Sequence, residues 1–196
     1  MSYPVGILLA AGSGRRFDPS GIKNKLIEPL ENGTPVAIQA AKNLLQVLST
    51  VAVVTRSRAL AAQFDALGCK SLLFADAAQG MGASLAHAVA DVVESHIAAH
   101  AVLIALGDMP YLQTDTIEKL VRALQDGADM VQPIYQKQVG HPVGFSRRHF
   151  AALMRLQGER GARHLLREFP VTQVEVNDPG ILKDIDYPAD LRARES

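Results

Sequence analysis

The chain has 196 residues, 20 Lys plus Arg against 20 Asp plus Glu, and 48% hydrophobic side chains, which is the composition of a folded domain rather than of a disordered chain. A net charge of zero leaves no basic track for nucleic acid and no cationic face for an anionic membrane, so any positive potential is local. One cysteine, Cys69, excludes an internal disulfide and a zinc cluster, and the apolar runs Val5–Ala11 and Ala98–Leu106 are too short to span a bilayer, so a single cytoplasmic domain over 1–196 is expected.

Taken in chain order, Val5–Leu9 reads as a buried first strand. The segment "PVAIQAAKNLLQVL" (Pro35–Leu48) has helical period, with Thr34 as its N-cap and proline at the first helical position. Val51–Val54 is a second strand. Ser57 caps a helix to about Leu67, which Gly68 ends. Ser71–Phe74 is a third strand and Ala83–Ala98 a helix with Leu85, Val89, Val92 and Val93 on its apolar side. Val102–Leu106 is continuous in its apolarity and therefore central. Thr114 caps "DTIEKLVRALQDG", ended by Gly127, and Met130–Ile134 is a fifth strand. Beyond Gly140 the pattern weakens. Helices near Arg147–Leu156 and Ala162–Phe169, a strand at Val171–Val176 and a turn or short helix from Pro188 complete the chain.

Five strand–helix alternations in 1–135 predict an α/β, Rossmann-like doubly wound, mostly parallel sheet with helices on both faces. Ligands of such sheets lie beyond the carboxyl ends of the strands. That rule selects Ala10–Lys25, Asp76–Ser84 and Gly107–Pro110, where glycines and polar residues cluster.

The first of these segments lies within "GILLAAGSGRRFDPSGIKNKL". It is not a P-loop, because the chain has no Gly-Lys dipeptide. A dinucleotide fingerprint needs a third glycine where Phe17 stands; Arg56, after the second strand, could greet the 2′-phosphate such a site would hold. A nucleotidyltransferase loop fits best. Ala10, Ala11 and Gly12 let the backbone approach a nucleotide, Ser13 and Gly14 offer N–H groups to phosphate oxygens, and Arg16 and Lys25 add charge where a triphosphate is cleaved.

"LLAAGSGRRF…NKL", "GMGASLAHAV", "LIALGDMPYL", "GHPVGF", "GERGARHLL" and "DIDYPADL" occur in this order, and in this the chain resembles the MobA-like nucleotidyltransferases, more closely their molybdenum cofactor cytidylyltransferase branch. The resemblance implies a nucleotide-binding core over 1–135, with acceptor-side and metal-side elements over 136–196. It implies transfer of CMP from CTP to molybdopterin carrying molybdenum, with release of pyrophosphate. It implies Mg²⁺ as cofactor, and a molybdenum hydroxylase or its chaperone as recipient of the product. Ala11, in "LAAG" rather than "LAGG", goes with CTP over GTP in that family; its methyl group narrows the space for a base. Sugar- and polyol-phosphate cytidylyl- or uridylyltransferases share the first loop but carry proline where Asn24 stands. A carrier that kept the fold and lost turnover is the non-enzyme alternative.

The same resemblance distributes roles. Asp108 is a metal ligand, against an Asx-turn before Pro110. Asp186 is a second ligand, although it, Asp184 or Asp190 could instead cap the turn at Pro188. Arg16 and Lys25 are catalytic with Asp108, with Arg15 and Lys23 as their rivals, since Pro19-Ser20-Gly21 lengthens this loop. Leu9 through Gly14, with Asp76, Gly80 and Ser84, bind the nucleotide; Ser84 could instead cap a helix. His141 and Pro142 lie by the acceptor. Relatives carry arginine where Val139 stands, which leaves Lys137 or another group for the acceptor phosphate.

Overall fold

The computed structural model describes residues 3–12, 14, 16–74, 80–95, 98–158 and 161–192. Its strands are β1 (Tyr3–Ala10), β2 (Val51–Thr55), β3 (Lys70–Leu73), β4 (Ala99–Leu106), β5 (Met130–Tyr135), β6 (Gln138–Val139), β7 (Val143–Ser146) and β8 (Thr172–Glu175). They form one sheet in the order β3-β2-β1-β4-β7-β5-β6, with β8 also on β5. The pairs β1–β2, β1–β4, β2–β3 and β5–β8 are parallel, and β7 runs antiparallel to both β4 and β5. All strands except β6 and β7 therefore point one way, and the sheet is mostly parallel, as the alternating sequence pattern predicts. Since β8 occupies one edge of β5 across Val131–Ile134, β6 and β7 must share the other edge.

The helices are α1 (Val36–Leu45), α2 (Arg58–Ala66), α3 (Gly80–Ser95), α4 (Thr114–Gln125), α5 (Phe150–Leu153) and α6 (Leu165–Glu168). Alternation along each strand divides the core in two. Leu8, Val53, Leu103 and Val131 face Leu44 of α1, Phe64 of α2 and Leu120 of α4. Ile7, Val54, Ile104 and Phe145 face Leu85 and Val89 of α3, Leu153 of α5 and Leu165 of α6. Helices thus cover both faces. Among the described residues no helix is long and apolar enough to cross a membrane.

Two expected caps are corrected. Pro35, not Thr34, stands at the N-cap of α1, with no side-chain cap. Gln113, not Thr114, stands at the N-cap of α4. Its amide is instead satisfied from a distance, by the buried carboxylate of Asp178 at 2.9 Å. Ser57 does cap α2, accepting from Leu60 N–H at 3.2 Å. The strands β6 and β7 lie outside the expected elements, and their reasons differ. The β5–β6 hairpin turns on Gln136 and Lys137, both at positive φ (47° and 66°), where Asn-Gly is the usual signal. In β7, Gly144 is demanded by packing, since a Cβ there would lie 2.5 Å from Val131 Cγ2 and 2.8 Å from Leu124 Cδ1.

The loop after β4 is held from below by Asn43 of α1, which donates to the carbonyls of Pro110 and Leu112, both at 2.9 Å, and accepts from Gln39. Asn43 is buried. Asn43→Leu keeps the volume but orphans both carbonyls, so a loss of about 2 kcal/mol, or roughly 4–8 °C in Tm, is expected in thermal unfolding.

Candidate active site

Strand β4 delivers Asp108 to the carboxyl edge of the sheet. Gly107 bonds to Leu9 O at 2.9 Å, and a Cβ on it would lie 3.0 Å from that of Ala10, so glycine lets β4 leave close against β1. The backbone of Ile185 then docks here, donating to Asp108 O at 2.8 Å. Ile185 is fully buried with Phe17, Leu30 and Val36. In extended chain, residues i and i+2 share a side, so burying Ile185 turns Asp184 and Asp186 together toward Asp108. One carboxylate oxygen from each of the three lies within 4.8 Å of the others. Asp190 is structural: its Oδ2 accepts from the N–H groups of Asp186 (3.1 Å) and Tyr187 (2.7 Å), fixing that turn.

Lys25 bridges this acidic group. Its Nζ lies 2.7 Å from Asp108 Oδ2 and 3.0 Å from Asp186 Oδ1. Burial alone would lower the Lys25 pKa, but attraction to Asp108 and then Asp186 outweighs it, and the net shift is upward. Arg16 pairs with the other oxygen of Asp186. Burial pushes the Asp184 carboxyl upward, and repulsion from Asp186 and Asp108 adds to it. Among the described residues, Asp108 Oδ1 is buried with no hydrogen-bond partner. Clustered carboxylates with an orphaned buried oxygen are a donor set that fits a hard divalent cation.

The loop between Arg16 and Lys25 has its own organiser. Gly14, at φ +62°, accepts from Phe17 N–H and Asp18 N–H, and Phe17 is buried. Asp18 accepts from Ser20 N–H, Ser20 Oγ and Lys23 N–H at 2.9, 2.6 and 2.7 Å. These bonds hold its carboxyl down at about 2. They leave Lys23 exposed while Lys25 is buried. Of the two rival lysines, Lys25 alone reaches the acidic group.

An open cleft of about 410 Å³ lies above these residues, within the range of small-ligand sites. Leu9, Ala11, Gly12, Gly14, Arg16, Lys25, Gly80, Ser84, Asp108 and Asp186 all line it. Ala10 does not; its side chain is 2% exposed and belongs to the core beneath. Ser13, Asp76 and Arg15 lie outside the described residues. Ser84 sits inside α3 rather than at its cap, buried, with its hydroxyl on Gly80 O at 3.3 Å. His141 and Pro142 are not among the residues lining the cleft. They border a separate cavity of about 10 Å³ behind the Asp108 loop, with Met109 and Leu112. Lys137 is exposed in the β5–β6 turn.

Five cleft residues had no assigned role from the sequence: Leu26, Arg56, Met81, Leu106 and Asp184. For Asp184 a signal was present, since "DID" spaces two acids across one apolar residue. Arg56, read there against a 2′-phosphate, donates to Gly12 O at 3.2 Å.

His141 gives the stability of the fold a pH signature. Burial lowers its pKa, against the pull of Asp108, with Arg163 adding to the lowering. The folded chain thus favours the neutral ring, while the unfolded ring titrates near its ordinary value of 6.5. Between those values the unfolded chain binds more protons, so this contribution to stability is complete above 6.5 and is lost as pH falls below it. A smaller fall in Tm between pH 7.5 and 5.5 is therefore expected for His141→Gln than for the wild type.

The family model described as MobA-like NTP transferase domain matches residues 6–175. No curated protein matches the sequence. Among solved structures, Rv0371c from Mycobacterium tuberculosis H37Rv is 26% identical with a TM-score of 0.79, covering 96% of this chain and 95% of that one. The same protein in complex with manganese gives a TM-score of 0.75, at 26% identity and 96% coverage of both chains. Two further structures share the fold. The 4-diphosphocytidyl-2C-methyl-D-erythritol synthase of Anaerococcus prevotii is 14% identical (TM-score 0.70, covering 97% and 93%). The molybdopterin-guanine dinucleotide biosynthesis protein A of Archaeoglobus fulgidus is 18% identical (TM-score 0.68, covering 95% and 94%).

Proposed function

Because the chain belongs to the MobA-like NTP transferase family, we propose that it transfers CMP from CTP to a phosphorylated acceptor, molybdopterin carrying molybdenum, to give the cytosine dinucleotide and pyrophosphate. The observation that carries this reading is Lys25, bracketed by Asp108 and Asp186 at 2.7 and 3.0 Å beside the first loop. A cation fixed at that point serves a substrate whose negative charge grows during the reaction.

In the reaction an acceptor phosphate oxygen attacks the α-phosphorus of CTP in line, and the bond to the bridging oxygen breaks as pyrophosphate leaves. A phosphate monoester is already anionic near neutral pH, so no strong base is needed, and catalysis rests on positioning and charge. Lys25 and Arg16 stabilise the charge on the departing pyrophosphate. Leu9, Ala11, Gly12 and Gly14, with Gly80 and Ser84 across the cleft, hold the nucleotide. Ala11 narrows the base end, which favours cytosine over guanine. Asp108 and Asp186, with Asp184 beside them, would hold a divalent cation, Mg²⁺ in this reading, which when bound neutralises triphosphate charge. The complex of the relative Rv0371c with manganese supports a divalent ion. His141 and Pro142 shape the acceptor side from behind the Asp108 loop, and the product passes to a molybdenum hydroxylase or its chaperone.

The test mixes the protein and Mg²⁺ with CTP, GTP, ATP or UTP and either purified molybdenum cofactor or a sugar or polyol phosphate, and measures pyrophosphate. Release with CTP alone is expected. Release with GTP would overturn the base assignment, and release only with sugar or polyol phosphates would overturn the acceptor. Tight cofactor binding without release under any nucleotide would mark a carrier instead.

A further inference from the structure

Arg56 is a cation of the cleft that the transfer reaction does not use. It follows β2, whose last residue Thr55 pairs with Ala10 at the end of β1. Asp108 follows β4, on the opposite side of β1. With neighbouring strands about 4.8 Å apart, the ends of β2 and β4 are separated by roughly 10 Å. A nucleotide whose triphosphate sits at Lys25 and Asp108 and whose nucleoside lies across β1 would meet Arg56 and the start of α3, which line that side of the cleft.

The chemistry of Arg56 suits that end. A guanidinium carries five N–H donors in a planar fork. Among the described residues its hydrogen-bond partner is the Gly12 carbonyl, at 3.2 Å, and most of the fork remains for a ligand. Cytosine presents two adjacent acceptors, O2 and N3, which a fork can engage together, as arginine engages the paired acceptors of a base edge elsewhere. Uracil carries a proton on N3 and opposes the second donor.

Resting on the cytidylyltransferase reading, we infer that Arg56 is a base-specificity residue. Anchored on the Gly12 carbonyl, it directs its free donors to O2 and N3 of cytosine and selects CTP over UTP. Ala11 limits the size of the base, and Arg56 reads its edge.

The experiment is calorimetric titration of wild type, Arg56→Ala and Arg56→Lys with CTP, UTP and inorganic tripolyphosphate, each with Mg²⁺. Tripolyphosphate probes the phosphate end without a base. Arg56→Ala is expected to weaken CTP by about tenfold or more, as loss of a two-point base contact does. Tripolyphosphate should change by less than about twofold, and the preference for CTP over UTP should collapse. Arg56→Lys, a single-point donor, should fall between. Parallel weakening of CTP and tripolyphosphate would overturn the inference, placing Arg56 on the phosphates or on the fold of the loop. Unchanged CTP binding in Arg56→Ala would overturn it alone. Failure of the wild type to bind any nucleoside triphosphate would overturn the functional reading with it.

Discussion

Asp108→Asn is expected to lower pyrophosphate release by on the order of 10³-fold, the scale of losing a group that organises charge in a transition state. The fold should survive the change. Asparagine keeps the size of the side chain, and Lys25 retains its bond to Asp186 at 3.0 Å. Removing one negative charge also relieves the crowding among three carboxylates whose oxygens lie within 4.8 Å. The Tm should accordingly stay within a few degrees of the wild type while turnover collapses. Steady-state pyrophosphate assays beside thermal unfolding separate the two quantities. A loss smaller than about tenfold, at an unchanged Tm, would remove Asp108 from the chemistry.

The second large effect is on stability and comes from Asp178. Its side chain is 1% exposed and accepts from Gln113 N–H, Thr116 Oγ1 and Gly180 N–H at 2.9, 2.8 and 2.7 Å. It thereby joins the N-terminus of α4, whose partial positive charge favours a carboxylate, to the segment that carries Asp184 and Asp186. That junction is tight. A Cβ on Gly180 would lie 2.2 Å from the carbonyl oxygen of Tyr111, and one on Gly140 would lie 2.2 Å from that of Ile181. Asp178→Ala leaves buried donors on both sides without an acceptor. A loss of about 3 kcal/mol, roughly 6–12 °C in Tm, is expected. Activity at low temperature should fall as well, because the segment that presents the second carboxylate is no longer pinned. A Tm within 2 °C of the wild type, by the same measure, would contradict this account.

The fold was legible where periodicity and buried runs carry it. Strands β1 to β5 and helices α1 to α4 follow from apolar patterns that tertiary packing then uses as written. The return half was not. A hairpin turning on Gln136-Lys137 lacks the residues that usually mark it, and Gly144 in β7 weakens a strand signal for the sake of close packing against Leu124 and Val131. Caps misled for a related reason, because the acceptor for α4 comes from Asp178, more than sixty residues away, and no local pattern encodes it. The cleft-lining residues Leu9, Ala11, Gly12, Gly14, Arg16, Lys25 and Asp108 lie at or after strand ends that sequence can place, whereas Asp186 came only from the family resemblance. The partition between Lys23 and Lys25 depends on the turn built around Asp18, which a spacing argument does not resolve.

The proposed reaction moves a nucleoside monophosphate. CTP labelled with ³²P at the α or at the γ position would be incubated with the protein, Mg²⁺ and molybdenum cofactor, and the products separated. The α-label is expected to enter the acceptor as CMP and the γ-label to leave as pyrophosphate. Label from the γ position on the acceptor, or released as inorganic phosphate with α-label retained in CDP, would contradict that reaction.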